Sequence, residues 1–427
     1  GARKRRRPQN DQALLADHPL PSATDLCPAF CGPLGWLSAT DALGQVRPVA
    51  YLDFHLQPDG HTAWLAVKGI LMAAQHRIDI CTFILNDDEI GQSILKVLCE
   101  KARAGLKVRL LVDGMGSLMG RLPDLSLLRS VGGQCLIFAP PMGSPASWSL
   151  RGRINLRNHR KMLVVDSGTP QARFWCGGRN LAAEYFEGDA HTTAWHDLSF
   201  DFSGELVAQA QAQFDRDWAF ADSKGRVDPQ RSPLAEQLSR GDAVCSPANS
   251  KQAQLIVSGP DQIDDTLYSL VLMAIYQAQE RIAIVTPYFI PNEALINALC
   301  LAARRGVRVD LLLPAKSNHF LSDVARARPL RDLAAAGAQI RLAPTMHHAK
   351  LMVFDDQLAL AGSANFDSRS LFLNYELMFA FQSGQEVSQF VAWFNAEREE
   401  AQPYVPVMPG FWRDLVEGLL LGVGFEA

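Results

Sequence analysis

The sequence predicts an α/β fold built twice: two tandem α/β/α sandwich domains related by pseudo-twofold symmetry, with the active site at their interface. Three observations predict it. A helix–strand–helix–strand pattern recurs, a His–Lys–Asp cluster recurs inside it, and a polar, Pro-containing stretch separates the two copies. Internal repetition of this kind organises everything else in a chain.

Residues 1–49 are rich in Pro, Gly and Ala and show no clear periodicity before PVAYLDF. They read as a mobile leader and an irregular segment packed on the first domain. The first domain is expected at 50–222 and the second at 252–427. In the first copy AVKGILMAAQHRIDICTFI is followed by SILKVLCEKARAGLKVRLLVD; in the second SLVLMAIYQAQERIAIVTPYFI is followed by ALINALCLAARRGVRVDLLLP. Each gives a helix, an apolar strand, a helix closed by a glycine turn (Gly105, Gly306) and another strand. Apolar strands alternating with amphipathic helices imply sheets covered on both faces. The stretch 223–251 is polar and reads as a linker. At the C-terminus Phe411, Trp412, Leu415, Val416, Leu419 and Leu420 share a helical spacing. That spacing suits either a helix docked on the second domain or one lying in a lipid interface.

The chain of 427 residues is 48% hydrophobic and 20% charged, with net charge −4. It can bury ample core. The slightly acidic balance weighs against a dedicated nucleic-acid binder. No apolar stretch approaches bilayer-spanning length. The run Arg3, Lys4, Arg5, Arg6, Arg7 suits a solvated arm or contact with anionic headgroups on a cytoplasmic membrane face. Eight cysteines are scattered; Cys27 and Cys31 are close, but no second pair completes a zinc site. A reducing compartment and no structural metal are expected.

The chemistry is carried by NHRKMLVVDSGTPQARFWCGGRN and HHAKLMVFDDQLALAGSAN. These place His159, Lys161, Asp166 and Asn180 in one copy, and His348, Lys350, Asp355, Ser363 and Asn365 in the other. Side chains alternate along a strand, so each His shares a face with its Lys while each Asp points away. A cation beside an imidazole is costly in a core unless an anion sits between them. Two such pairs facing each other make one anion pocket with two histidines, which suits phosphoryl transfer. Asp166 and Asp355 are then structural, pairing with buried donors and fixing the halves. His347 faces away from His348.

These motifs resemble the phospholipase D superfamily signature, H-x-K-x4-D followed by G-[GS]-x-N. DDEIGQSILKVLCEKARAGLKVRLLVDGMGS, RNHRKMLVVD, TPYFIPNEALINALCLAARRGVRVDLLLP and GSANFDSRSLFLNYE extend the resemblance to its bacterial cardiolipin synthase branch over most of residues 50–400. The resemblance implies a two-step displacement through a phosphohistidine, with His159 as nucleophile and His348 as acid and base. Lys161, Lys350, Asn180, Asn365 and the Ser363 hydroxyl would serve the phosphoryl oxygens, with no metal and no cofactor. An acceptor should hold the second nitrogen of the attacking His. Glu376, 28 residues after His348, suits that task, and Asp197 in WHDLSF is the matching residue of the first half. His196 stands before Asp197 where relatives often carry Arg. The first copy has ten residues between Asp166 and Gly177 against six between Asp355 and Gly362, and reads GGRN rather than GSxN.

The expected activity is phosphatidyl transfer between two phosphatidylglycerol molecules, giving cardiolipin and glycerol. The alternatives are a phospholipase D using water or another alcohol, including a phosphatidylserine synthase-like enzyme, and then a nucleic-acid phosphodiesterase. The expected partners are phosphatidylglycerol and an anionic membrane surface, with no nucleic acid. The expected location is the cytoplasmic side of a bacterial inner membrane, peripheral or anchored by an N-terminal segment missing from this chain.

Overall fold

Leu-, Ile- and Val-rich runs become strands, and helices with one apolar stripe pack on them. A computed structural model describes residues 48–139, 157–223, 251–260, 262 and 265–410. The basic leader, residues 224–250 of the linker and the C-terminal amphipathic segment lie outside the described residues, as do Cys27, Cys31 and Cys245.

The first half comprises β1 (Val49–Ala50), β2 (Leu52–Gln57), α1 (Gly60–Ala73), β3 (Arg77–Thr82), α2 (Glu89–Arg103), β4 (Lys107–Asp113), α3 (Gly114–Met119), α4 (Ser126–Ser130), β5 (Gln134–Phe138), β6 (Met162–Val165), β7 (Arg173–Gly177), β8 (Ser199–Ser203) and α5 (Leu206–Asp222). The second comprises β9 (Gln252–Ser258), α6 (Thr266–Gln277), β10 (Arg281–Val285), β11 (Phe289–Ile290), α7 (Glu293–Arg304), β12 (Arg308–Pro314), α8 (Phe320–Ala325), α9 (Ala327–Ala335), β13 (Gln339–Ala343), β14 (Leu351–Phe354), β15 (Leu358–Gly362), β16 (Phe366–Asp367), α10 (Ser368–Phe372), β17 (Glu376–Phe381), α11 (Gly384–Glu400) and β18 (Gln402–Pro403).

The first sheet runs β2-β8-β7-β6-β3-β4-β5. The central seven strands of the second, β9-β17-β15-β14-β10-β12-β13, repeat that order strand for strand. In both, three parallel strands (β3-β4-β5, β10-β12-β13) adjoin an antiparallel set. Gly105 and Gly306 close α2 and α7 with φ of 93° and 94°, a left-handed conformation that glycine adopts without strain. One difference concerns the start of the first half. Val49 pairs with Ala253, so β1 extends the second half's sheet rather than packing on the first domain alone.

Each sheet turns one face to its own helices. Ile78, Ile80, Leu163 and Val165 pack with α1 and α2; Ile282, Ile284, Met352 and Phe354 pack with α6 and α7. The alternate residues form a third core between the halves. There Phe174, Phe200 and Phe202 meet Phe379, Phe381 and Phe390, with ring centroids 5.2–6.5 Å apart. Four of the five contacts among these rings that cross between the halves are edge-to-face, and the cluster holds the halves in fixed register.

Asp166 and Asp355 end β6 and β14 in the left-handed region, at φ 49° and 51°. Asp166 accepts the backbone N–H groups of Gln75, His76 and Arg77 at 2.7–2.9 Å. Asp355 accepts those of Gln279, Glu280 and Arg281 at 2.8–3.1 Å. These donors are main-chain amides of the same half. Each Asp therefore locks its motif strand to the preceding helix–strand turn rather than joining the two halves.

Candidate active site

The strand proper begins one residue after each motif lysine, at Met162 and Leu351. The extended segments just before are held by the opposite half. His159 donates its N–H to Tyr375 O (3.0 Å), and Tyr375 donates to Arg157 O (2.9 Å). The twofold mate repeats this: His348 donates to His196 O (2.7 Å), and His196 donates to Met346 O (2.9 Å). Because Tyr375 precedes Glu376 and His196 precedes Asp197, each half delivers its carboxylate to the other half's histidine.

That crossing sets the site. His159 Nδ1 lies 3.0 and 3.1 Å from the Glu376 carboxylate oxygens and 3.1 Å from Ser363 O. His348 Nδ1 lies 2.9 Å from Asp197 Oδ2. A carboxylate on Nδ1 keeps the proton there and leaves the His159 Nε2 lone pair available. Both acids are fully buried. Burial opposes their ionisation, yet the adjoining histidine and lysines prevail and hold both below the usual carboxylate range. Burial lowers His159, against the upward pull of Glu376. Burial and the Lys350 ammonium bring His348 down to about 3.

Lys161 and Lys350 are almost inaccessible. Lys161 Nζ donates to His159 O at 2.7 Å. Lys350 Nζ contacts His348 O and stands 2.9 and 3.0 Å from the two ring nitrogens of His348. Desolvation lowers Lys161 to about 8 and Lys350 to about 7, while the field of Asp197 and Glu376 holds both up. Each lysine thus senses both carboxylates, and the two half-sites act as one electrostatic unit.

Asn365 Oδ1 is buried without a hydrogen-bond partner. Asn180 Oδ1 accepts the Ile84 N–H at 3.3 Å. The Ser363 hydroxyl requires a correction. It is fully buried, donates to Glu376 Oε2 and accepts the Leu377 N–H at 2.9 Å, so it steadies the acid rather than facing a phosphoryl oxygen. Gly178 occupies the matching place in the first half. A Cβ there would sit 2.3 Å from Asp197 Oδ1 and 2.8 Å from His348 O, leaving no room for a side chain.

A cleft of about 1100 Å³ opens onto this site. It is lined by Phe83, His159 and Asn365, with Arg157, Arg328 and Arg369 interspersed among Glu293, Asp332 and Asp367. Phe83 packs edge-on to His159, while Tyr185 and Trp195 cover His348. Sequence reasoning did not single out these aromatic walls, nor Arg160. That residue is fully buried between the motif His and Lys; it pairs with Asp217 and donates to Glu376 O (3.1 Å) and Ser258 O (3.0 Å). The H-x-K spacing marks the position of Arg160 but not its partners.

Among the described residues one cluster has donors suited to a metal ion. His196, His347 and Glu397 bring their ligand atoms within 4.8 Å of one another, on the side of the segment away from His348. Glu397 Oε2 already accepts from both imidazoles at 2.7 Å.

Residues 67–218 and 271–398 match the family profile described as cardiolipin synthase, PLD-like domain. The chain is 34% identical to cardiolipin synthase A of Pseudomonas syringae pv. syringae over 370 residues, covering 85% of this chain and 73% of that protein. It is 31% identical to cardiolipin synthase of Geobacillus thermodenitrificans over 381 residues, 88% and 72% of the respective chains. The fold resembles the crystal structure of phosphatidylserine synthase from Haemophilus influenzae Rd KW20, with TM-score 0.65, 16% identity, and coverage of 90% of this chain and 96% of that one.

Proposed function

The chain belongs to the cardiolipin synthase family with phospholipase D-like domains, and from that premise we propose that it makes cardiolipin and glycerol from two molecules of phosphatidylglycerol. The observation that carries this reading is the pair of crossed histidine–carboxylate contacts, set in the field of two buried lysines at one cleft. Residues 50–222 and 252–427 are the two phospholipase D-like domains of this reading, joined by 223–251.

In the first step His159 Nε2 attacks phosphorus, the bond to the headgroup glycerol oxygen breaks, and His348 gives that oxygen its proton. A second phosphatidylglycerol then offers its terminal hydroxyl. His348 takes the proton, the new P–O bond forms, and the P–N bond to His159 breaks. Splitting the displacement gives two manageable barriers, and one imidazole serving as acid and then base contributes about 10²–10⁴-fold. Glu376 keeps His159 in the nucleophilic tautomer, and Asp197 holds Nδ1 of His348, so that its Nε2 is the atom that gives and then takes the proton. Lys161, Lys350, Asn180 and Asn365 neutralise and orient the phosphoryl oxygens. The incoming phosphodiester anion draws Lys350 off the His348 ring and raises the proton affinity of that imidazole.

The acceptor is itself an anion in this scheme, and Arg157, Arg328 and Arg369 give the cleft wall the cations to hold it. The partners are phosphatidylglycerol and an anionic bilayer surface, with no nucleic acid. The protein works at the cytoplasmic side of a bacterial inner membrane, peripherally or through an anchoring segment. Among the described residues no helix is long and apolar enough to cross a membrane. Incubation with phosphatidylglycerol vesicles in EDTA, with products read by mass spectrometry beside His159→Ala, tests the scheme. Cardiolipin and glycerol that vanish in the variant are expected. Phosphatidic acid alone would make the enzyme a hydrolase.

A further inference from the structure

The two halves also repeat a feature at the rim of the cleft. The strand β4 runs into α3, and its twofold mate β12 leads to α8. Both short helices carry large apolar side chains in water: Leu118 is 63% and Met119 55% exposed, Phe320 76% and Leu321 47%. Met119, Phe320 and Leu321 also line the cleft that holds His159. Each tip has an exposed cation close by in sequence, Arg121, which also reaches Asp87 at 3.8 Å, on one side and Lys316 on the other. Other exposed large hydrophobics, such as Leu65, Leu127 and Leu301, do not line the cleft.

Large apolar side chains gathered in water around a site mark an interaction surface. Here the surface is continuous with the entrance for a substrate whose acyl chains are insoluble in water. We infer that the α3 and α8 tips insert together into the headgroup–acyl boundary of an anionic phospholipid bilayer, straddling the cleft so that a lipid enters without crossing water. The occupant is a bilayer because apolar tips border a cleft lined by Arg157, Arg328 and Arg369, with exposed Arg121 and Lys316 a few residues from the tips, the combination that anionic interfaces bind. This docking surface is distinct from the basic leader and the C-terminal amphipathic segment. It rests on the lipid-transferring function proposed above.

The test uses the full chain with Leu118→Ser, Met119→Ser, Phe320→Ser and Leu321→Ser combined, beside Leu301→Ser as an exposed apolar control. Co-sedimentation with phosphatidylglycerol vesicles should weaken at least tenfold in the fourfold variant and hold in the control, with thermal unfolding unchanged in both. Turnover of vesicle lipid should fall at least tenfold further than turnover of a short-chain phosphatidylglycerol dispersed as monomers. Unaltered vesicle binding would overturn the inference. So would equal losses on both substrates, which would mean that the tips shape the cleft rather than dock it. A native dimer that the fourfold variant dissociates would place a second copy on the patch and likewise overturn it. Vesicle binding that depends on the tips in a chain turning over neither substrate would uphold docking while rejecting the proposed reaction.

Discussion

The two half-sites obey one plan with opposite emphases. In the first, His159 lines the cleft, its side chain is 11% exposed, and its acid is the longer Glu376, steadied by the Ser363 hydroxyl. In the second, His348 is 5% exposed under Tyr185 and Trp195, its acid is the shorter Asp197, and Gly178 stands where Ser363 would be. The difference teaches that symmetry of backbone does not require symmetry of function. The longer acid with its serine stands beside the histidine that opens onto the cleft, and the shorter acid with its glycine beside the one that Tyr185 and Trp195 cover.

The strongest way to break this comparison is to remove each histidine in turn. His159→Ala should abolish turnover and any covalent intermediate. His348→Ala, given a substrate whose leaving group needs no proton, should still form the phosphohistidine and accumulate it. Trapping by acid quench and mass spectrometry separates the two, and a label that survives in His159→Ala and is lost in His348→Ala would reverse the assigned roles. Next in size, Glu376→Gln removes the charge and turns one of the two oxygens at His159 Nδ1 into a donor that favours the wrong tautomer, and kcat should drop about 10²–10⁴-fold with the fold intact.

Smaller still is the exchange of the paired neighbours. Ser363→Gly deletes one hydrogen bond to a buried carboxylate and should lower kcat about tenfold or somewhat more. Gly178→Ser forces a Cβ onto Asp197 and the His348 carbonyl and should destabilise the chain by about 1–3 kcal/mol, measured by denaturant unfolding. If both changes proved neutral, the comparison between halves would lose its physical basis. The mildest effect is on pH. Burial lowers Lys350 to about 7 and Lys161 to about 8, so the free enzyme loses ammonium charge as pH rises through those values. KM for phosphatidylglycerol should then rise at least about tenfold between roughly pH 6 and pH 9, about tenfold being the loss of a single charge-assisted phosphate contact and two ammonium groups being lost. Lys350→Arg keeps its charge and should flatten the lower part of that rise, leaving the part that Lys161 sets.

Much of this is legible in the sequence. The duplicated helix–strand pattern predicted two similar sheets, and the motifs gathered His159, Lys161, His348 and Lys350. The pairing of acids with histidines was not legible. Glu376 follows His348 in sequence but contacts His159, because Tyr375 bridges to the opposite motif segment. No spacing rule reports which strand end meets which across an interface. The partner of the Ser363 hydroxyl is hidden for the same reason: its nearest acceptor comes from β17, which only the sheet order brings beside it. The cluster of His196, His347 and Glu397 likewise gathers three distant segments, and no ligand spacing in the sequence announces it.

The crossing also has a thermal consequence. Each half holds the acid for the other's histidine, and Arg160 ties the first motif to both Glu376 and Ser258. Melting of either half therefore disarms both imidazoles at once. Such a molecule has no half-active state on heating: the loss of activity should follow the first calorimetric transition, even where a second, more stable half melts later.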